Sequence, residues 1–288
     1  MAVQTEQPKK VAGNARPLIL VSNDDGVHAA GLAVLVSAMA SLGDVIVSAP
    51  DSERSGASHS MTFHSHLRAS ETSQGWWAVS GTPVDCVYFG MIHLCTARAP
   101  DLVVSGINAG YNLGTDVFYS GTVGAAAEGR LRGCSGLAVS TERGVDPRWA
   151  AHASRAIAKR LLDSDTPQLL SVNVPFVPGH EHASAAEIDR LSGAMRTCVT
   201  RLGHRSYEDR VHRREDPHGR PYYWIGGPPS DMSGKPGDDL WAVAQGMVSV
   251  TPLVLDITAP DLQGTHALLT ADPELDVVAL PPPKPEPT

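Results

Sequence analysis

Leu18-Ile19-Leu20-Val21-Ser22-Asn23-Asp24-Asp25-Gly26 is the stretch on which the reading of this 288-residue chain turns. Four apolar residues in succession, with no polar alternation, are the pattern of a strand covered on both faces in a parallel sheet. The run breaks abruptly into an amide, two carboxylates and a glycine. Residues 31–42 then place Leu32, Leu35, Val36 and Met39 on one helical stripe. Asp44-Val45-Ile46-Val47 follows as a second strand and stops at Ala49-Pro50-Asp51. Strand, helix and strand in that order make a βαβ unit, whose crossover is expected to be right-handed.

The same alternation continues outward. Residues 60–67 and 76–79 read as two strands of a hairpin excursion. A helix is expected over 83–94, with Pro83 at its first position after Thr82. A strand at 101–105, a helix at 121–132, a strand at 136–140, a helix after Asp146-Pro147 and a strand at 168–174 complete the regular part. These units predict an α/β fold with a doubly wound, mostly parallel sheet. Beyond Pro175 the texture changes. Residues 201–220 carry charges of both signs, and Pro221-Tyr222-Tyr223-Trp224 adds aromatics, so 201–224 reads as an extended hairpin: a solvated surface feature or an arm between subunits. A helical turn at 240–245, a strand at 247–254 and a Pro-rich tail at 281–285, expected to lack order, close the chain.

Composition narrows the function. A net charge of −8 disfavours nucleic acid and anionic membrane surfaces as partners, since both require a basic face. Cys86, Cys95, Cys134 and Cys198 include no C-x-x-C pair, and no apolar signal segment follows Lys9-Lys10, so reduced thiols in a cytoplasmic protein are expected. No apolar run is long enough to span a bilayer.

In an open α/β sheet the chemistry gathers beyond the carboxyl ends of the strands. Three loops occupy such positions: 23–26, 51–56 and 106–122. Adjacent carboxylates at Asp24 and Asp25 repel, which raises one pKa or calls for a cation between them. With oxygen donors alone nearby, Mg²⁺ or Mn²⁺ is favoured over zinc. The plainer alternative makes Asp25 a helix cap. Residues 106–124 hold five glycines and lead into a helix at Ser120-Gly121-Thr122, whose free N–H groups suit a phosphate; packing for shape alone is the alternative. His59, following this second loop, is a candidate substrate contact. His64 and His66 share a strand face and read as the polar outer side of that strand. Neither a Walker motif nor G-x-G-x-x-G, G-x-S-x-G or H-E-x-x-H occurs.

Five ordered motifs carry a resemblance. Val21-Ser22-Asn23-Asp24-Asp25-Gly26, Ala49-Pro50-Asp51-Ser52-Glu53-Arg54-Ser55-Gly56, Gly81-Thr82-Pro83-Val84-Asp85, Val104-Ser105-Gly106-Ile107-Asn108-Ala109-Gly110 and Tyr119-Ser120-Gly121-Thr122-Val123 resemble the SurE (survival protein E) family, with weaker similarity at 171–175, 222–224 and 245–252. Tyr111 stands where many members have proline. The resemblance implies a Rossmann-like core with a C-terminal β-hairpin arm exchanged in a homodimer or homotetramer. It also implies a 5′/3′-nucleotidase, a phosphomonoesterase needing one divalent ion (Mg²⁺ or Mn²⁺) per subunit and acting on nucleoside monophosphates. Carried over by motif, the metal ligands are Asp24, Asp25, Ser55 and Asn108. Asp24 and Asp25 are the catalytic carboxylates, and Asn23, Ser120, Gly121 and Thr122 contact phosphate. Either water attacks phosphorus directly or Asp24 acts as a covalent nucleophile. A nucleotide-binding sensor without turnover, a broad acid phosphatase and an exopolyphosphatase are the rival readings. The domain scheme is an extension without order at 1–16, a single α/β domain at 17–260 (core to about 180, arm and C-terminal elements at 181–260), and an extension at 261–288.

Overall fold

The computed structural model describes residues 15–176, 178–180, 183–208, 210–227, 234–259, 261–271 and 277–278. The first fourteen residues and the Pro-rich tail at 281–285 lie outside them. Two compact units are present, Met1–Leu253 and Val254–Thr288. In the second, helical residues Leu262–Thr270 are capped by the Asp261 carboxylate, which accepts the Gly264 N–H.

The first unit begins with β1 (Leu18–Ser22), α1 (Ala30–Ala40) and β2 (Asp44–Pro50), the expected βαβ unit. There follow β3 (Ala69–Glu71), β4 (Trp77–Val79), α2 (Pro83–Phe89), β5 (Leu102–Ala109), α3 (Gly121–Leu131), β6 (Ser135–Thr141), α4 (Arg148–Asp163) and β7 (Leu169–Val174). α5 (Ala185–Ser192), β8 (Thr197–Val199), β9 (Val211–Glu215), β10 (Pro221–Ile225), α6 (Asp239–Ala244) and β11 (Val248–Leu253) complete it. The main sheet runs β3-β4-β2-β1-β5-β6-β7-β11-β8. It is parallel except where β3 meets β4 and β11 meets β7. This is the doubly wound, mostly parallel sheet expected, and the C-terminal hairpin β9–β10 stands as its own antiparallel pair.

Both faces of the sheet are covered, which explains the unalternated apolar run of β1. Ile19 and Val21 point into a core shared with Leu32, Leu35 and Trp149 of α1 and α4. Leu20 points the other way, to a smaller core with Val87, Val103 and Ala125 under α2 and α3. From β1 the chain runs first to β2 on one side and later to β5 on the other. The edge between β1 and β5 is therefore the topological switch point, where ligands bind in such sheets. Among the described residues no helix is long and apolar enough to cross a membrane.

Four expectations are corrected. Residues 60–67 form no strand; the pairing segment is β3, later in sequence. Their backbone is held instead by the N-terminus of α2: Thr62 donates its N–H and its hydroxyl to Asp85, and Ser60 O accepts the Thr82 hydroxyl. His64 and His66 are accordingly exposed in a non-strand segment. The helix expected over 83–94 is α-helical only to Phe89, then widens into a π turn at Gly90–Leu94. The strand at 101–105 continues through Ala109 across a register shift between Ser105 and Asn108, so Asn108 sits on β5 opposite Ser140. The Gly106–Ile107 peptide is cis.

Candidate metal and phosphate site

The end of β1 reverses tightly. Asn23 is fully buried and its Nδ2 donates to Gly26 O at 2.9 Å, closing the turn. Its Oδ1 is buried with no hydrogen-bond partner. Asp24, 5% exposed, accepts a 2.5 Å hydrogen bond from the Thr122 hydroxyl at the start of α3. Burial pushes its carboxyl up to about 6 and the Asp25 charge adds to this, against the opposing Thr122 bond. Asp25 is also raised, chiefly by burial and further by the neighbouring Glu53 carboxylate; the Ala109 N–H and Arg143 oppose that.

Three loops meet here. From the loop after β2, Arg54 donates its N–H to Asp24 O at 2.8 Å. From the end of β5, Ala109 donates its N–H to Asp25 Oδ2 at 3.3 Å. From α3, a methyl group built on Gly121 would lie 3.2 Å from Asp24 Cβ and 3.0 Å from Pro83 Cγ. That approach leaves little room for a side chain at 121, so the positive end of α3 stands against the carboxylate. The Ser120 hydroxyl caps the helix by accepting the Val123 N–H at 3.1 Å. That bond uses a lone pair and leaves the Ser120 O–H to donate to an incoming anion, whereas the Ser120 backbone N–H is donated to Asp116 O at 3.1 Å.

The remaining candidates differ in placement. Asn108 donates Nδ2 to Gly110 O at 2.7 Å, leaving its amide oxygen as the atom suited to a cation. Ser55 donates its hydroxyl to Glu53 Oε1 at 2.7 Å. Glu53 is thus coupled to both Ser55 and Asp25, a role that its place in the quoted loop did not declare. His59 turns toward Glu128, with Nε2 3.0 Å from Oε2. Glu128 is 5% exposed and also accepts from Arg132 Nε at 2.6 Å. Burial alone would raise its pKa, but the bonds from His59 and Arg132 outweigh it and hold the carboxyl low. Because Glu128 lies seven residues along α3 from Gly121, the imidazole Nε2 is directed down the helix, away from its N-terminal turn.

A hard divalent cation fits this donor set. Among the described residues no three His, Cys, Asp or Glu side chains converge on a metal position. The candidate donors carried by the motifs are instead two carboxylates, an amide oxygen and a hydroxyl, all hard oxygen atoms. Burial, and next to it a neighbouring carboxylate, disfavours the ionised form of both Asp24 and Asp25, and Asn23 Oδ1 lacks a hydrogen-bond partner, so a bound cation would offset a cost already present.

Residues 19–209 match the family described as Survival protein SurE. This chain belongs to the SurE family. A relative named 5′-nucleotidase SurE, from Geobacter metallireducens, is 46% identical over 247 residues, covering 83% of this chain and 92% of the relative. One of the same name from Aeromonas hydrophila is 45% identical over 249 residues, covering 84% and 93%. The crystal structure of the SurE protein from Aquifex aeolicus superposes with a TM-score of 0.73 at 37% identity, covering 88% of this chain and 99% of that one. The SurE resemblance read from the five motifs therefore holds, as does the fold that it implied.

Proposed function

We propose that this chain is a divalent-metal-dependent nucleotidase, a phosphomonoesterase that converts nucleoside 5′- and 3′-monophosphates to nucleoside and phosphate. The observation that carries the reading is the meeting of Asp24 with Gly121 and Thr122: a cradle for a cation and a cradle for an oxyanion share one wall at the sheet's switch point. The names of the relatives support the activity.

Asp24, Asp25, Asn108 and Ser55 would hold one Mg²⁺ or Mn²⁺ per subunit. When bound, such an ion supplies charge stabilisation at the phosphoryl oxygens and a more acidic water. The chain's own contribution is placement. The α3 amides orient the phosphate, with Asn23 beside them, and the Thr122 hydroxyl fixes Asp24 so that it cannot swing away. In the reaction the oxygen of water bonds to phosphorus as the bond from phosphorus to the nucleoside oxygen breaks; one water proton ends on that departing oxygen as the nucleoside hydroxyl and the other stays with the phosphate. Asp24, already held by Thr122 and Gly121, serves this reading as a fixed ligand.

Assembly belongs to the same proposal. All ten residues of β9 and β10 are exposed, including Val211, Tyr222, Tyr223, Trp224 and Ile225. An isolated two-stranded hairpin is marginal in water. Exchange of this arm within a homodimer or homotetramer would bury those side chains.

The test is phosphate release from a panel of nucleoside monophosphates, p-nitrophenyl phosphate and polyphosphate. Mn²⁺ or Mg²⁺ should support hydrolysis with nucleoside monophosphates preferred, and EDTA should abolish it. Preference for polyphosphate would replace the reading with an exopolyphosphatase, and nucleotide binding without release with a sensor.

A further inference from the structure

Between the site loop and the root of the hairpin lies a set of contacts that the proposed chemistry does not use. A 3₁₀ turn, Gly114–Phe118, leads into Ser120. Asp116 in this turn is 13% exposed and forms an ion pair with Arg205, itself 12% exposed. Both Asp116 carboxylate oxygens also accept from the Tyr207 hydroxyl at 2.8 Å. The grip is reinforced on either side: Thr115 donates its hydroxyl to Arg205 O at 2.9 Å, and the Asp239 carboxylate accepts the N–H groups of Gly114 and Gly203 at 2.7 and 2.9 Å.

The backbone of Asp116 carries this grip toward the site. Its carbonyl accepts the N–H of Ser120 at 3.1 Å and of Tyr119 at 2.9 Å. Ser120 is the cap of α3, so the orientation of residue 116 fixes where the first helical amides point. Of the carboxylates proposed to hold the cation, Asp25 is tied to the end of β5 by the Ala109 N–H, whereas Asp24 accepts the Thr122 hydroxyl of this same turn and only its backbone carbonyl is held by the Arg54 N–H.

We infer that Asp116, clasped by Arg205 and Tyr207, is a positioning residue that sets the N-terminal turn of α3 and with it the affinity of the site for phosphate. The inference rests on the phosphate cradle of the proposed function and adds the residues that hold it in place. A carboxylate clasped by a guanidinium and a phenol has little rotational freedom, and a small misplacement of donors costs disproportionately in binding an oxyanion.

The test uses full-length Asp116→Asn and Tyr207→Phe. Inorganic phosphate and Mn²⁺ binding are read by calorimetry, and KM and kcat with a nucleoside monophosphate by phosphate release. Both variants should weaken phosphate binding and raise KM by about tenfold, with a smaller fall in kcat; Mn²⁺ affinity should fall by no more than about threefold, because Asp24 alone of the proposed cation ligands is bonded to this turn. Arg205→Lys should retain more phosphate affinity than Arg205→Ala. Unchanged phosphate affinity, or Mn²⁺ affinity falling in step with it, overturns the inference. Tyr207→Phe removes one hydroxyl and keeps the comparison open where Asp116→Asn does not fold. A wild-type chain that binds phosphate but releases none from nucleotides contradicts the nucleotidase reading alone, because the calorimetric comparison still decides this one.

Discussion

Asp24→Asn should reduce turnover of a nucleoside monophosphate by about a thousandfold or more, equivalent to several kcal/mol of lost transition-state stabilisation. The substitution conserves shape, and an Asn Oδ1 can still accept the Thr122 hydroxyl that now bonds Asp24 at 2.5 Å. What disappears is the negative charge needed against a divalent ion. The same change should stabilise the metal-free protein at neutral pH. Asp24 ionises near 6 in the folded state, mainly because it is buried, and near the ordinary carboxylate value when unfolded. Between those values the native state binds more protons than the unfolded state, so its stability falls as pH rises through that window. Above it, the ionised buried carboxylate costs on the order of 3 kcal/mol, which the amide does not incur. Thermal melts of metal-free protein at pH 7 should therefore show the variant above wild type, while assays show it nearly inactive. Wild-type turnover in Asp24→Asn removes the catalytic assignment.

Gly106→Ala should destabilise the protein by about 3 kcal/mol or more, through backbone strain and overlap together. Gly106 has φ of +135°, a region that side-chain-bearing residues rarely adopt. An added methyl group would stand 2.3 Å from the carbonyl oxygen of Val139 on the neighbouring strand β6. β6 is paired on both sides, so it cannot yield cheaply. Relief must come from the segment that carries Asn108 two residues later, and the site should loosen with it. A fall in Tm of roughly 10 °C is expected, with turnover reduced at least tenfold. A melting curve within two or three degrees of wild type (about 1 kcal/mol) would show that the chain accommodates the methyl group and that the close approach is not structurally required.

Much of the fold was legible because it rests on local pattern. The unalternated run at 18–21 required a doubly covered strand, and Thr82-Pro83 with Asp85 spells a helix start whose reciprocal bonds are present. Residues 60–67 carry a partly apolar pattern but have no strand partner. Their hydrogen bonds go to Asp85, more than twenty residues onward, rather than to a ladder. α5 has a local signal of its own, absent from the expected elements: Ser184 and Glu187 form a capping box ahead of Ile188 and Leu191. At the site, the order Asn23-Asp24-Asp25 was visible because one turn places all three. The Asp24–Thr122 bond followed only from the topological rule, since the residues stand 98 apart. The His59–Glu128 pair and the Asp116–Arg205 clasp had no local signature, with partners 69 and 89 residues away. Only packing reveals such pairs.

The Asp24–Asp25 turn, with Asn108 and Ser55, is the proposed seat for one hard divalent ion. Titration of Mn²⁺ into the metal-free chain, with crystals grown in Mn²⁺ to locate it, measures this directly. One ion per chain is predicted, bounded by the Asp24 and Asp25 carboxylates and the Asn108 amide oxygen, with binding lost in Asp24→Asn. A site left empty at saturating Mn²⁺, or an ion bound elsewhere with undiminished affinity in that variant, would contradict the account.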